Sequence, residues 1–277
     1  MIKILVNEKS LSFPENLTLA QLQDRIKPAA DVVIVNGFPA EKDRLIREGD
    51  HVVFIRRGEV PKADELATQI AARHTPGILE KLKKSTVGIA GLGGLGSAVV
   101  VALARMGIGT LVLVDYDVVE PSNLNRQHFF IDQIGLPKTE AIIANLSRIN
   151  PYVRTVAFQE MITEENLSRF FGKADVVVEC FDRAEEKKMI LEASVAMLPE
   201  TFVVGASGVA GYGDSNGIKT WRLSDKVFIV GDLENAAEPG RGLMASRVGI
   251  AAHHQANLVV ALLVDPGQAI SQIPSIP

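Results

Sequence analysis

Cysteine is almost absent from this sequence of 277 residues, which contains one, Cys180. A single cysteine excludes an intrachain disulfide and a zinc site built from several thiolates. It is typical of a protein that stays in the reducing cytoplasm. An excess of basic residues is also missing, since the net charge is −4. The composition therefore disfavours nucleic acid or an anionic membrane as a partner.

Long uninterrupted hydrophobic runs are missing as well. The most apolar span, residues 88–114, is broken by glycines and by Arg105, which favours two buried elements over a membrane helix. The apolar residues 1–6 are too few and too poorly flanked for a signal peptide. We therefore expect a cytoplasmic protein. Its 47% hydrophobic and 22% charged residues are ordinary for one large globular domain or two unequal ones.

A glycine-rich segment follows the apolar residues 87–90, which predict a buried parallel strand. A helix pattern over residues 97–106 and a second strand pattern over 110–114 come next, ending at Asp115. Such a unit binds a nucleotide phosphate with the free N–H groups and the positive end of its helix. Asp115 lies 24 positions after the first glycine, near where a ribose-binding acid is expected. We assign four glycines to nucleotide binding: Gly91, Gly93, Gly94 and Gly96.

The segment after Asp115 is unusually polar and runs to Gln127. A dehydrogenase has no use for such a segment, whereas a triphosphate needs cations and amide donors along its oxygens. Arg126 offers a planar, charged fork for this purpose. Asn123 and Gln127 can hold the phosphates or the neighbouring backbone. The alternative is a solvated loop with an asparagine-capped turn.

Two charged residues open predicted helices further on. Lys138 stands at the start of a helix pattern over 139–148, where a cation opposes the helix dipole unless it meets a phosphate. A surface lysine explains the same pattern equally well. Asp182 follows the buried strand pattern of residues 174–180, so it can hold Mg²⁺ at the carboxyl end of the sheet. Its alternative role is to cap the helix that starts at Ala184.

The first 58 residues have a different pattern from the rest. Alternating apolar residues over 2–6 and 11–13 predict a hairpin, and Thr18 can cap a short helix. Strands are predicted at residues 32–35 and 51–55. This order is that of a β-grasp, or ubiquitin-like, domain and resembles the ThiS sulfur carriers. An unrelated α+β module is the alternative.

One feature of a working carrier is missing from this part of the chain. The carriers that it resembles end in a free Gly-Gly carboxylate, which is the group that becomes adenylated. Here Gly58 stands alone and is followed by Glu59. We therefore expect residues 1–58 to act in place, as a docking or regulatory module, and not as the carrier itself.

The rest of the chain resembles the ThiF/MoeB adenylyltransferases, relatives of the ubiquitin-activating enzymes. The resemblance rests on GLGGLGS, DYDVVEPSNLNRQ, Lys138 and ECFD; ASGVAGYG and PGRGLMASRVGIAAHHQAN point to the ThiF family 2 branch. It implies an α/β protein, with a Rossmann-like fold and a largely parallel sheet preceded by a small β-grasp domain. We place the β-grasp domain at 1–58, a linker at 59–65 and the ATP-binding domain at 66–277.

The resemblance also implies the reaction, in which MgATP binds and AMP is transferred to a carboxylate with release of pyrophosphate. The residues that it places in the site are Asp115 for the ribose; Asn123, Arg126 and Lys138 for the phosphates; Gln127 in support; Asp117 with the nucleotide; and Asp182 for Mg²⁺. The catalytic residues would be Arg126, Lys138, Asp182 and an arginine supplied across a dimer. The usual arginine segment is missing, and Arg73 is the nearest candidate. Zinc-binding Cys-x-x-Cys pairs and a thiol in the crossover-loop region are missing too, which predicts adenylation without sulfur relay.

The expected partner is a ThiS-like sulfur carrier supplied in trans, in thiamine thiazole synthesis, with molybdopterin or another sulfur transfer left open. A homodimer is also expected, through an apolar face on the helices near Leu103 and Leu262. Two alternatives remain. One is a non-catalytic regulatory or scaffold protein whose own β-grasp domain occupies the carrier's docking surface. The other is an NAD-dependent oxidoreductase, which shares the glycine pattern and Asp115.

Overall fold

The computed structural model describes residues 1–276, which divide into two compact units. The first unit is Met1–Gly77 and the second begins at Ile78. The sequence pattern instead predicts that the β-grasp domain ends at residue 58 and the linker at residue 65. The difference concerns the helix at Ala63–Ala71, which groups with the first unit. Within that unit Lys9 lies 3.5 Å from Asp64, and Arg73 lies 3.8 Å from Glu8.

The first unit is a five-stranded mixed sheet with a helix. Its elements are β1 (Ile2–Val6), β2 (Lys9–Phe13), α1 (Leu19–Ile26), β3 (Val32–Val35), β4 (Phe38–Pro39), β5 (His51–Ile55) and α2 (Ala63–Ala71). The strand order is β2-β1-β5-β3-β4, with β1 parallel to β5 and the other pairs antiparallel. The β-grasp prediction is confirmed.

Local sequence explains how this sheet forms. Thr18 accepts a hydrogen bond from the Gln21 N–H, while Gln21 bonds back to the Thr18 N–H, and this capping box starts α1. Leu19 and Leu22 of α1 are fully buried against the sheet. Asn36 and Gly37 both have positive φ, 51° and 87°, which turns the chain sharply enough for the short β4 to pair with β3. Strand β4 was not predicted from the sequence pattern.

The second unit alternates strands and helices. Its elements are α3 (Ile78–Leu82), β6 (Thr86–Ala90), α4 (Gly94–Met106), β7 (Thr110–Val114), α5 (Lys138–Ile149), β8 (Arg154–Phe158), α6 (Glu164–Phe171), β9 (Val176–Glu179), α7 (Ala184–Met197), β10 (Phe202–Ala206), β11 (Lys219–Arg222), β12 (Val227–Gly231), α8 (Ala245–Val264) and α9 (Pro266–Ser271). Strands β11 and β12 pair in antiparallel orientation.

The seven-stranded sheet has the order β11-β12-β10-β9-β6-β7-β8, with only β11 antiparallel. From β6 the chain builds outward through β7 and β8, then returns to β9 and builds in the other direction. The strand order therefore reverses between β6 and β9, and ligands bind outside the carboxyl ends of strands at such a point. One apolar core lies between the sheet and α4, α5 and α8, and a second lies beneath α6 and α7. The predicted largely parallel, Rossmann-like fold is confirmed.

The helices differ from expectation in three respects. Helix α4 begins at Gly94, three residues before the predicted Ser97. Helix α6 was not predicted, although Thr163 and Asn166 form a capping box at its start. The apolar face expected near Leu103 and Leu262 was wrong as well. Both side chains are buried inside the unit, because α4 and α8 pack against each other and the sheet.

Helix α8 is also the one helix within residues 1–276 that is long and apolar enough to cross a membrane. Half of the most apolar stretch of this helix is buried inside the protein. Its fully buried Gln255 donates hydrogen bonds to the backbone oxygens of Glu179 and Val204. Helix α8 is therefore long and apolar because it forms part of the protein core.

Gly96 is a glycine whose replacement we expect to damage the second unit. A Cβ at this position would lie 1.9 Å from the Gly91 carbonyl oxygen, whereas one at Gly93 would meet nothing closer than 3.9 Å. We expect Gly96→Ala to lower the free energy of unfolding by about 2 kcal/mol, because overpacking forces the backbone to move. Chemical denaturation checks this, with Gly93→Ala as the control. Equal midpoints for the two variants would contradict this account of the loop.

Candidate active site

A cavity of 430 Å³ opens at the carboxyl ends of β6, β7, β9 and β10, beside the point where the strand order reverses. The glycine segment forms one wall, and residues 160–162 after β8 form another. Two loops from the other half of the sheet, residues 207–209 and 235–237, complete it. The predicted site residues that line it are Gly91, Gly93, Gly94, Asp115, Asp117, Arg126, Gln127, Lys138 and Asp182.

The glycine segment brings backbone N–H groups to the cavity. Gly91 has a φ of 91°, and Gly93 occupies the position before the first helical residue of α4. The N–H groups in the first turn of a helix have no partner within the helix, and the helix dipole makes this end positive. Gly96 allows the close approach of α4 to the Gly91 carbonyl. This wall therefore suits an anion such as a phosphate.

Asp115 stands at the end of β7 and is held by backbone donors. Its carboxylate accepts hydrogen bonds from the N–H groups of Leu92, at 2.6 Å, and Asp117, at 2.8 Å. Burial raises the pKa of Asp115, while Lys138 and these two N–H groups oppose the rise. Carboxylate oxygens have further lone pairs, so Asp115 can also accept a bond from a ligand hydroxyl.

Lys138 is buried at the start of α5, with 7% of its side chain exposed. Its ammonium lies 2.8 Å from the Asp117 carboxylate and 4.0 Å from that of Asp115. The alternative of a solvated surface lysine is excluded by this burial. The pair of acids holds the cation at the cavity against the unfavourable helix dipole.

Arg126 and Gln127 lie over the glycine segment, where added Cβ atoms would meet them: Arg126 Cγ at 3.4 Å from Gly94, and Gln127 Nε2 at 3.9 Å from Gly93. The Arg126 guanidinium donates to the Ser122 carbonyl oxygen and to the Asn125 side chain. In the part of the chain that the structure describes, Arg126 Nε and Gln127 Oε1 are buried without a hydrogen-bond partner. Buried polar atoms are rarely left so, which marks this wall as the place for a ligand or ordered water.

Asn123 does not line this cavity. Its side-chain oxygen accepts a bond from the Glu120 N–H at 3.1 Å and so caps the turn that leads to Arg126. A direct contact of Asn123 with phosphate stays a prediction. Asp182 is exposed at the cavity. The residue before α7 is Arg183, so the alternative role of Asp182 as the helix cap is wrong.

A buried ion pair that was not predicted from the sequence reaches the cavity through Lys187. Glu179, 1% exposed at the end of β9, lies 2.8 Å from the Lys187 ammonium on α7. The carboxylate also accepts bonds from the N–H groups of Phe181 and Ala206, and Lys187 donates to the Ala206 carbonyl oxygen at 3.1 Å. The pair joins the carboxyl ends of β9 and β10 at the cavity. The sequence did offer one signal for this pair, because Glu179 is an acidic residue at the end of an otherwise apolar strand.

Comparison with known proteins agrees with this geometry. Residues 66–269 match the model of the ThiF family, and residues 2–58 match that of the ThiS-like ubiquitin family. The chain belongs to the ThiF family. Its N-terminal part is a ThiS-like ubiquitin domain.

Two adenylyltransferases of Escherichia coli are among its relatives. The sulfur carrier protein ThiS adenylyltransferase is 39% identical over 133 residues, which cover 48% of this chain and 53% of that protein. The molybdopterin-synthase adenylyltransferase is 30% identical over 198 residues, 69% of this chain and 78% of that protein. This chain therefore spans about half the length of the first relative and more of the second.

A solved structure shares the fold. The tRNA N6-threonylcarbamoyladenosine dehydratase TcdA of E. coli matches with a TM-score of 0.66 and 20% identity, over 77% of this chain and all of that one. The same protein has been solved in complex with ATP and then matches with a TM-score of 0.61 and 22% identity. At this identity the match shows the fold of the second unit.

The residues at the cavity fit a nucleotide with a bound Mg²⁺. Within residues 1–276 there is no group of three or more His, Cys, Asp or Glu side chains that could hold a metal alone. Mg²⁺ needs less than this, since it takes one or two carboxylates together with phosphate oxygens. Asp182 lines the cavity together with Glu186. Burial raises the pKa of Glu186, Arg183 opposes the rise, and the carboxylates of Asp182 and Asp117 add to it.

The structure also places the single cysteine, which lines the cavity, and the predicted catalytic arginine. Cys180 is buried, and burial raises the pKa of its thiol well above the ordinary value, as expected for a core thiol. Arg73 belongs to the first unit, where its side chain is 77% exposed. Its role across a dimer stays a prediction.

Proposed function

We propose that this ThiF-family protein is an ATP-dependent adenylyltransferase that activates the C-terminal carboxylate of a ThiS-like sulfur carrier. The observation that carries the proposal is the cavity wall where Arg126 and Gln127 face the start of α4 with buried, unsatisfied polar atoms. The two E. coli relatives named as adenylyltransferases support it.

The residues of the cavity suit the reaction as follows. In adenylation a carboxylate oxygen bonds to the α-phosphorus, the bond to the bridging oxygen breaks, and the electron pair leaves with pyrophosphate. Such a step needs positioning and charge neutralisation more than a protein base. The first turn of α4, Arg126 and Lys138 supply positive charge, and Asp115 can orient the ribose. When bound, Mg²⁺ on Asp182 would neutralise the phosphate oxygens.

The carrier is the favoured acid substrate for two reasons. The relative with 39% identity is named for a sulfur carrier, and the chain has its own ThiS-like domain. A tRNA substrate, as in the name of TcdA, is disfavoured by the net charge of −4. Among pathways we favour thiamine thiazole synthesis, and the molybdopterin relative keeps that route open. We also propose a cytoplasmic location and a homodimer, although the apolar face first invoked for the dimer is buried.

Calorimetry with two nucleotides tests the proposed site. We expect MgATP to bind with a dissociation constant at least about tenfold lower than that of NAD. The reason is that Arg126, Gln127 and Lys138 surround the place for phosphates, which a dinucleotide would fill less well. Tighter binding of NAD would refute adenylation and restore the oxidoreductase alternative. MgATP binding without any pyrophosphate exchange in the presence of a carrier would favour the regulatory or scaffold alternative.

The ThiS-like domain is proposed to act in place and not as a substrate. Gly58 is bound to Glu59 by a peptide bond, so it has no carboxylate to adenylate. We expect no AMP on this chain after incubation with MgATP, as measured by intact-mass spectrometry. Removal of residues 1–58 should change the affinity for the carrier and leave ATP binding intact. An AMP adduct at a cleaved Gly58 would contradict this role.

A further inference from the structure

Asp232, directly after β12, ties two cavity loops together. Its carboxylate accepts hydrogen bonds from the N–H groups of Glu234, at 2.9 Å, and Asn235, at 2.8 Å, and from the Asn235 side chain. Against the effect of burial, these donors and Arg247 lower the pKa of Asp232. Asn235 then accepts a bond from the Ala210 N–H at 3.0 Å through its backbone oxygen. The loop after β12 is thereby attached to the loop after β10.

Gly208 is part of the same arrangement. It has a φ of 74°, and a Cβ added there would lie 2.0 Å from the Asp232 carboxylate. Its carbonyl oxygen accepts a bond from the Asp232 N–H at 3.2 Å. The two loops therefore approach each other so closely that only a glycine fits between them.

Arg247 connects this carboxylate to α8. Its side chain is 4% exposed, and its guanidinium pairs with Asp232 and donates to the Asp214 carbonyl oxygen at 2.6 Å. Asp214 lies further along the loop after β10. The ion pair thus connects the loop after β10, which contains ASGVAGYG, to the segment PGRGLMASRVGIAAHHQAN, which leads into α8. Binding of the nucleotide does not explain either segment.

The wall that these contacts hold faces the cavity from the side opposite Asp115. Apart from Asn235, its lining consists of small or apolar residues: Ser207, Gly208, Val209, Ala236, Ala237 and Leu243. These side chains carry no charge for a phosphate, and small or apolar side chains are of the type that packs against an uncharged peptide. The glycine segment and Lys138 occupy the other half of the cavity.

We propose that Asp232 and Arg247 are positioning residues that hold this wall in place for the carboxylate-bearing peptide tail of the second substrate. The inference rests on the proposed adenylation. The pair lies on the far side of the wall loops, so it acts through them and does not touch the nucleotide. A wall displaced by even an ångström would leave the carboxylate badly aligned with the α-phosphorus.

The test compares Asp232→Asn and Arg247→Lys with wild type in ATP–pyrophosphate exchange. The second substrate is a purified ThiS-family carrier or a short synthetic peptide that ends in Gly-Gly. We expect the carrier concentration for half-maximal exchange to rise about ten- to a hundredfold. The dissociation constant of MgATP, from calorimetry, should stay close to that of wild type. Glu192→Gln, at a carboxylate that is 69% exposed, is the control.

Three outcomes would overturn the inference. The first is an unchanged carrier requirement in both variants. The second is a matching loss of ATP and carrier affinity together with a lower melting temperature, since a purely structural role predicts that result. Lack of exchange by the wild-type protein with every carrier would refute the proposed function, and this inference with it. The first outcome refutes the inference alone and leaves the proposed function standing.

Discussion

Lys138→Met is expected to lower kcat/KM for ATP–pyrophosphate exchange by about 10²–10³-fold, the usual loss when one preorganised charge at a reacting group is removed. The ammonium of Lys138 lies 2.8 Å from the Asp117 carboxylate and is almost fully buried at the cavity. Without it, the carboxylates of Asp115 and Asp117 would face the phosphates unbalanced. Both the attraction for ATP and the neutralisation of pyrophosphate would be lost.

Lys188→Met is the matched control, because the same charge is removed from a side chain that is 73% exposed. Its exchange activity should stay near that of wild type. Lys138→Arg keeps the charge and should retain more activity than Lys138→Met. Since Lys138 is buried, melting temperatures establish that each variant is folded. A folded Lys138→Met with wild-type kcat/KM would contradict the place of Lys138 at the phosphates.

Lys187→Met is expected to lower the free energy of unfolding by about 3 kcal/mol, because it leaves a buried carboxylate without its cation. Glu179 is 1% exposed, so it cannot recover the loss by contact with water. Denaturant unfolding measures the change, and Lys188→Met should shift the free energy by no more than about 0.5 kcal/mol.

The double variant Glu179→Gln with Lys187→Met tests the cause of this loss. Removal of both charges should be less destabilising than removal of Lys187 alone, since no uncompensated charge remains in the core. If the double variant is the less stable one, the two side chains contribute separately, and the ion pair does not explain the effect of Lys187.

Local sequence patterns were enough to predict the framework of the second unit. The glycines after the first apolar run predicted the turn that follows β6, and the two apolar runs form β6 and β7. Some of the residues that meet at the cavity could be predicted because they follow a strand or start a helix. Asp115 follows β7 and Lys138 starts α5, and the carboxyl ends of parallel strands meet at one edge of a sheet.

The ion pairs could not be predicted, because each joins residues from different elements. Glu179 ends a strand and Lys187 lies on the next helix, and the pairing depends on how α7 packs. Asp232 and Arg247 are joined only when α8 returns beneath the loops. Gln255 did carry a signal that was overlooked, since a polar side chain in so apolar a helix is expected to bond in the core.

The argument for a homodimer was wrong for a related reason. Apolar helix faces were expected to be exposed, yet periodicity shows only that a face is buried somewhere. Leu103 and Leu262 are used inside the unit, where α4 packs on α8. A dimer, if formed, must use other residues.

Transfer of AMP to a carrier is the measurement that tests the central claim most directly. Protein is incubated with MgATP and a purified ThiS-family carrier that ends in Gly-Gly, and the carrier is examined by mass spectrometry and for released pyrophosphate. The account predicts an acyl adenylate at the carrier's terminal carboxylate, lost in Lys138→Met and kept in Lys188→Met. If the protein binds MgATP but no candidate carrier acquires AMP at its carboxylate, the account is contradicted.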